Sequence, residues 1–255
     1  MKVKVKHLYS LVSLLCIIGT TGCSSESTTS NVIKTEGIWA DIRLTANGER
    51  SRVVTEFNLN SSTGANIILS DGDQVQATVG EEFKVLEMDK DFLDIDYQGY
   101  FSQTTQGTEF KLELIREKEN QKLTASVFLP ATVTLYSPVL SSFRKDERII
   151  VEWKPEINPD TSLILDFTST CTTKSGGIST FSHQAELDDN SGQFTLLLGS
   201  VDGFNDEDLD KSKACSSYVT LSRMQEGTVD NRFKSGSKIY AIQQTKSEEL
   251  KVTLN

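Results

Sequence analysis

The chain has 255 residues, with 36 aspartates and glutamates against 26 lysines and arginines and a formal net charge of −10. That balance repels nucleic acid and anionic lipid head groups, so no nucleic-acid partner is expected. Two histidines and four cysteines supply few ligands for a soft-metal site, and no cofactor is expected.

The first stretch reads as an export signal. Lys2, Lys4 and Lys6 precede LYSLVSLLCIIG at residues 8–19, an apolar run too short to cross a hydrocarbon core of about 30 Å as a helix. Thr20, Thr21 and Gly22 are small enough for a signal peptidase, and Cys23 follows directly. This junction resembles the lipobox of bacterial lipoproteins, with Thr20 where that family usually carries leucine. The resemblance implies cleavage after residue 22, a diacylglyceryl group on Cys23 and acylation (palmitate being the usual chain) of the new amine. More than one acyl chain makes attachment stable, so the membrane itself is an expected partner.

Ser24 follows Cys23 where aspartate would, by family analogy, favour the inner membrane; the implied address is the outer membrane of a bacterial envelope. Loss of residues 1–22 removes three lysines and no acid, which takes the net charge from −10 to −13. Residues 23–36 are expected to be the lipidated cysteine and a flexible tether, because SSESTTSNVIKTE is small, polar and poor in core-forming side chains.

The body of about 220 residues that follows is long enough for one large or two modest domains. In GIWADIRLTANG, Ile38, Ala40, Ile42 and Leu44 alternate with Trp39, Asp41 and Arg43 before Asn47-Gly48, and RVVTEFNLN returns with Val53, Thr55, Phe57 and Leu59 on one face. Period two around Asn-Gly predicts a hairpin. The runs NIILS, QVQATV, FKVLEM, FLDIDY, TEFKLELI and KLTASVFL continue the pattern. KLELIREKENQKL has some helical character, but Phe110, Leu112 and Leu114 alternate, and EKEN fits a charged hairpin tip. Strands divided by turns, with no helices between them, predict an all-β sandwich or barrel.

At LPATVTLYSP two of the four prolines arrive, and FRKDERIIVEWKP then gives a strand ending at Trp153 and closed by Pro155. A boundary is therefore expected near residue 130, with a first β-sandwich domain over 37–130 and a second over 131–255. SLILDFTSTC, TFSHQAEL, GQFTLLLGS, CSSYVTLSR, SKIYAIQQ and EELKVTLN make up the second. Its proline-led start, tryptophan-bearing strand and later Tyr218 resemble fibronectin type III and immunoglobulin-like modules. With Cys16 in the signal and Cys23 lipidated, Cys171 and Cys215 remain as an even pair outside the cytosol and are expected to form a disulfide. If their strands are antiparallel neighbours, as the resemblance implies, the two cysteines meet at one end of one sheet.

Catalytic signals are weak. His183 in TFSHQAEL is the single histidine after the signal and reads as a strand residue, with no nucleophile elbow around it. DKDFLDIDYQGYF carries Asp91, Asp94 and Asp96 beside Tyr97, Tyr100 and Phe101; paired carboxylates and aromatics suit a sugar site, and a half-buried strand with a solvated face suits them better. DGFNDEDLD gathers Asp202, Asn205, Asp206, Glu207, Asp208 and Asp210, oxygens of the kind calcium takes. The EF-hand spacing fails because Gly203 directly follows Asp202, and a solvated acidic turn is the preferred reading. The expectation is a non-enzymatic, lipid-anchored envelope protein acting as a binding or structural module, its ligand unread and its candidate partners a protein or glycan of the envelope, with a glycan-active or glycan-binding lipoprotein as the alternative.

Overall fold

A computed structural model describes residues 27–91 and 94–255. The architecture is all-β. The first ten strands are β1 (Ser27–Thr29), β2 (Ile38–Ala46), β3 (Ser51–Leu59), β4 (Asn66–Ile68), β5 (Gln74–Val79), β6 (Glu82–Val85), β7 (Glu87–Lys90), β8 (Ile95–Phe101), β9 (Glu109–Arg116) and β10 (Gln121–Phe128). Then come β11 (Leu135–Ser137), β12 (Ser142–Arg144), β13 (Arg148–Trp153), β14 (Thr161–Thr172), β15 (Ile178–Leu187) and β16 (Gln193–Leu197). The last are β17 (Cys215–Glu226), β18 (Thr228–Val229), β19 (Lys238–Lys246) and β20 (Leu250–Thr253). Among the described residues no helix is long and apolar enough to cross a membrane.

One large sheet runs β1-β4-β3-β2-β19-β17-β14-β15, with β8 also on β3 and β7 on β8. Two smaller sheets, β18-β10-β9-β5-β6 and β11-β13-β16, complete the set. Alternation decides which face each strand buries. Ile38, Ala40, Ile42 and Leu44 of β2 pack with Val53 and Phe57 of β3, Phe101 of β8, and Phe110, Leu112 and Leu114 of β9 in one core. Leu163, Leu165 and Phe167 of β14, Val219 and Leu221 of β17, and Ile149, Val151 and Trp153 of β13 form a second. The β2–β3 hairpin closes through residues 47–50, with Gly48 at φ 87°, a left-handed conformation that glycine adopts without steric cost. EKEN is the tip of the β9–β10 hairpin, with Arg116 paired to Gln121.

The two cores change over near residue 130, but the chain does not divide cleanly there. Strand β19 pairs in parallel with β2, Ile239 opposite Ile42, and antiparallel with β17, Met224 opposite Ile242. Phe233, Ile239 and Ala241 therefore lie in the first core although they come from the second half of the sequence. Period two places Ile239 and Ala241 on a buried face, Phe233 reaches the same core from the turn before β19, and nothing in the local pattern names a strand almost two hundred residues earlier as the partner.

The expected tether is also shorter than residues 23–36. Strand β1 pairs with β4, Ser30 and Thr35 are fully buried, and Ile33 joins the first core. The reason is Arg116, whose Nη2 donates to the carbonyls of Ser30 and Ile33 at 2.8 and 2.9 Å. A buried guanidinium needs acceptors, and this small polar segment supplies them as backbone carbonyls. The signal region and Cys23 lie outside the described residues.

Candidate functional site on the outer face of the large sheet

Strands β19, β2, β3 and β8 turn one face to the first core and the other outward. Register fixes what stands side by side on the outer face. Lys238 is opposite Asp41, Asp41 opposite Glu56, Glu56 opposite Asp96, and Asp96 opposite Asp89 of β7. Four acids thus occupy one row across adjacent strands, where directly opposed like charges are destabilising.

The middle of the row is the densest. Carboxylate oxygens of Glu56, Asp94 and Asp96 all lie within 4.8 Å of one another, the single such convergence of three or more metal-ligating side chains among the described residues. Amides hold it together: Asn66 Nδ2 donates to Asp94 Oδ1 at 2.9 Å and to Asn58 Oδ1 at 2.8 Å, and Asn58 donates to Glu56. Burial, and then the charges of Asp94 and Glu56, push Asp96 up to about 6 against the pull of Arg52 and Arg43. Burial also raises Glu56, opposed by its hydrogen bond from Asn58 and reinforced by the Asp94 charge. Asp41 pairs with Lys238 through Oδ2 at 3.3 Å, and its buried Oδ1 has no hydrogen-bond partner among the described residues. Chemically, such a group takes up a proton near neutral pH or offers oxygens to a hard cation.

One row further along, the sign reverses. Tyr240, Arg43, Val54 and Gln98 stand in line, followed by Ile242, Thr45, Arg52 and Tyr100. Arg43, Val54, Thr45, Arg52 and Tyr100 of these rows, with Asn47 and Arg50 from the hairpin loop and Gln244 from β19, line a cleft of about 330 Å³. Arg52 Nε donates to Gln98 at 2.8 Å and Arg43 Nε to the Tyr240 hydroxyl at 2.6 Å. Arg50 stacks on the Tyr100 ring at 4.6 Å. The ion-paired arginines are elsewhere, at Arg116, Arg144, Arg223 and Arg232; none of the three cleft arginines pairs with a carboxylate among the described residues.

Of the residues singled out in the sequence, Asp94 and Asp96 meet in the acidic cluster and Tyr100 reaches the cleft. Tyr97 and Phe101 point the other way, into the core, with Tyr97 donating to the Ile67 carbonyl and accepting from the Leu69 amide. Asp91 stays exposed outside the cluster and accepts from the Asp94 amide. Glu56, Asp41 and the three arginines were missed: a two-residue turn at Asn47-Gly48 would set Asp41 against Val54, and it is the 47–50 connection, with Ala46 opposite Ser51, that sets it against Glu56.

The acidic loop at residues 202–210 is built differently. Two of its carboxylates turn to local backbone and hydroxyl groups: Asp206 Oδ1 accepts from the Asp208 amide, and Asp210 Oδ1 accepts from the Ser212 amide and hydroxyl. The Ser212 hydroxyl and then its amide hold the Asp210 carboxyl below its usual range. Phe204 is fully buried in the second core, packed edge-on against Phe181 at 4.9 Å. His183 sits half-buried on edge strand β15 opposite Phe167.

Cys171 and Cys215 form a disulfide between neighbouring strands, with Cα atoms 4.4 Å apart. The β14–β17 register brings Thr170 opposite Ser216, so the bridge closes the end of that ladder as the sequence predicted.

No protein-family model matches the chain. No curated protein matches it either. Among solved structures it is similar to the FN1–FN3 domains of chicken CNTN1, at 12% identity and a TM-score of 0.21, over 85% of this chain and 66% of that one. The chain thus spans just under two thirds of that structure's length, and a likeness at this level assigns no activity.

Proposed function

We propose that the protein is a non-enzymatic, lipid-anchored module of the bacterial cell envelope, held through Cys23, which binds its partner with the outer face of β19, β2, β3 and β8. The observation that carries the binding reading is the sorting of charge on that face. Asp41, Glu56, Asp94 and Asp96 gather on one side and Arg43, Arg52 and the loop residue Arg50 on the other, one or more rows away, with no ion pair between the two groups among the described residues. A surface selected for stability alone interleaves opposite charges, because like charges in register cost free energy. Glycan binding is the version favoured by the cleft, with its exposed Tyr100 and amide-bearing Asn47 and Gln244. A glycan-cleaving version needs two carboxylates on opposite sides of a bond; Glu56, Asp94 and Asp96 instead converge on one spot.

Anchoring is supported by the signal and the Gly22-Cys23 junction. Cell fractionation with mass measurement of the mature amino terminus tests it. The expected result is an acylated amino-terminal cysteine in the membrane fraction, with Cys23→Ser released or left as uncut precursor. A Cys23→Ser protein that still floats with membranes overturns the anchor.

A further inference from the structure

We infer that the arginine cleft is a binding site for an oxyanion carried on a small polyhydroxylated ligand, such as a sugar phosphate or a uronic acid. This rests on the reading of the outer sheet face as the binding surface and names what that surface takes.

Sign is the first argument. In a chain of net charge −10, three guanidinium groups line one cleft, and among the described residues none forms an ion pair, Arg43 and Arg52 meeting the acidic row only at longer range. Arginine left unpaired in an acidic protein is a poor stability device and a good oxyanion receptor, since its planar fork matches phosphate or carboxylate oxygens two at a time.

Preorganisation is the second. Arg52 is held through Nε by Gln98 and Arg43 through Nε by Tyr240, which leaves the Nη groups of both for a ligand. Arg50 is fixed by the Tyr100 ring. Side chains already held in place lose less entropy on binding. The positions come from two neighbouring strands and their hairpin, so the spacing of the three cations is set by the ladder.

Size and lining narrow the class. At about 330 Å³ the cleft lies at the small end for ligand pockets and is much larger than a bare oxyanion needs. Its remaining lining is Thr45, Asn47, Gln244, Val54 and Tyr100: two hydroxyls, two amides and limited apolar surface. Those groups suit ring hydroxyls and do not suit an apolar body. The acidic row beside the cleft adds direction, repelling the ligand's anionic end toward the arginines.

The test uses the full chain in detergent micelles, titrated calorimetrically with glucose 6-phosphate, galacturonate and glucose. Binding of at least one charged sugar is expected, at least about tenfold tighter than glucose. Whichever charged sugar binds identifies the source of the oxyanion as phosphate or carboxylate. Replacing Arg50→Gln together with Arg52→Gln is expected to weaken that binding by at least about tenfold with an unchanged melting temperature, whereas Arg144→Gln, at the end of β12 and outside the cleft lining, leaves it intact. The inference is overturned if neither charged sugar binds, if glucose binds as tightly as they do, or if the double variant binds like wild type. Failure of all three ligands does not touch the anchor or the use of the sheet face, which fractionation and cross-linking measure separately.

Discussion

Arg116 donates from Nε to Asp73 Oδ2 at 2.8 Å, with only 1% and 4% of the two side chains exposed. The same guanidinium holds Ser30 and Ile33 by their carbonyls, while Glu119 accepts from the amide and hydroxyl of Thr35. One buried cation therefore fastens the segment that the proposed lipid anchor pulls on. A second network, Arg223 with Asp189 at 2.8 Å and the Ala131 carbonyl at 2.9 Å, fastens the crossing between the two cores.

Arg116→Ala is expected to destabilise the protein by about 3–5 kcal/mol, because it strands the buried Asp73 charge and frees several backbone carbonyls. Urea unfolding measures the loss. Limited proteolysis should also show cleavage within residues 27–36 under conditions that leave wild type uncut. A loss below about 1 kcal/mol, the size of a surface pair, would mean that the segment is held by something else.

Asp96→Asn is expected to stabilise the protein at neutral pH. The folded carboxyl titrates at about 6, above its ordinary 3.8, so its proton-linked stability is complete below about pH 3.8 and is lost as pH rises through 6. Asparagine has no ionisable proton to lose and stays neutral throughout. The advantage of the variant should grow between pH 4 and pH 7 and reach roughly 1 kcal/mol after solvent screening. Urea midpoints of both proteins at pH 4 and pH 7.5 check this, and a difference between variant and wild type that is the same at both pH values would contradict it.

Gly203→Ala tests the structural reading of the acidic loop. A Cβ at residue 203 would lie 2.1–2.5 Å from ring atoms of Phe181, which packs on the buried Phe204. The ring has to move, at a cost of about 1–3 kcal/mol. Thermal melts should show the loss with or without millimolar calcium. An unchanged melting temperature would remove the loop's packing role.

The strand pattern and the disulfide were legible in the sequence, because period two and cysteine parity are local or arithmetic signals. What escaped depended on partners distant in the chain. Arg116 sits in ELIREKEN and reads as part of a charged tip, yet the alternation of Phe110, Leu112 and Leu114 carries it inward on the same face. Its acceptors are at residues 30, 33 and 73, which no local pattern links. Asp96 was visible as a strand carboxylate, and its position beside Glu56 appears only once β3 and β8 are paired in register. The role of β19 in the first core likewise needed its parallel pairing with β2.

That pairing changes what reduction of the disulfide should do. The bridge spans 44 residues, and opening it should cost about 4 kcal/mol on the chain-entropy account. Since β2, β19 and β17 are consecutive strands of one sheet, calorimetry should show a single transition that moves down as a whole with reductant. Two transitions, with only one sensitive to reductant, would show that the cores unfold independently.

The central claim is that the outer face of β19, β2, β3 and β8 is the binding surface, and photo-cross-linking in intact cells tests it most directly. A cross-linking side chain at Val54, in the middle of that face, is compared with one at Ser175, an exposed turn residue between β14 and β15. The account predicts a discrete adduct from Val54 that weakens when Arg50 and Arg52 are replaced, and none from Ser175. Adducts from Ser175 alone, or an adduct at Val54 indifferent to those arginines, would contradict it.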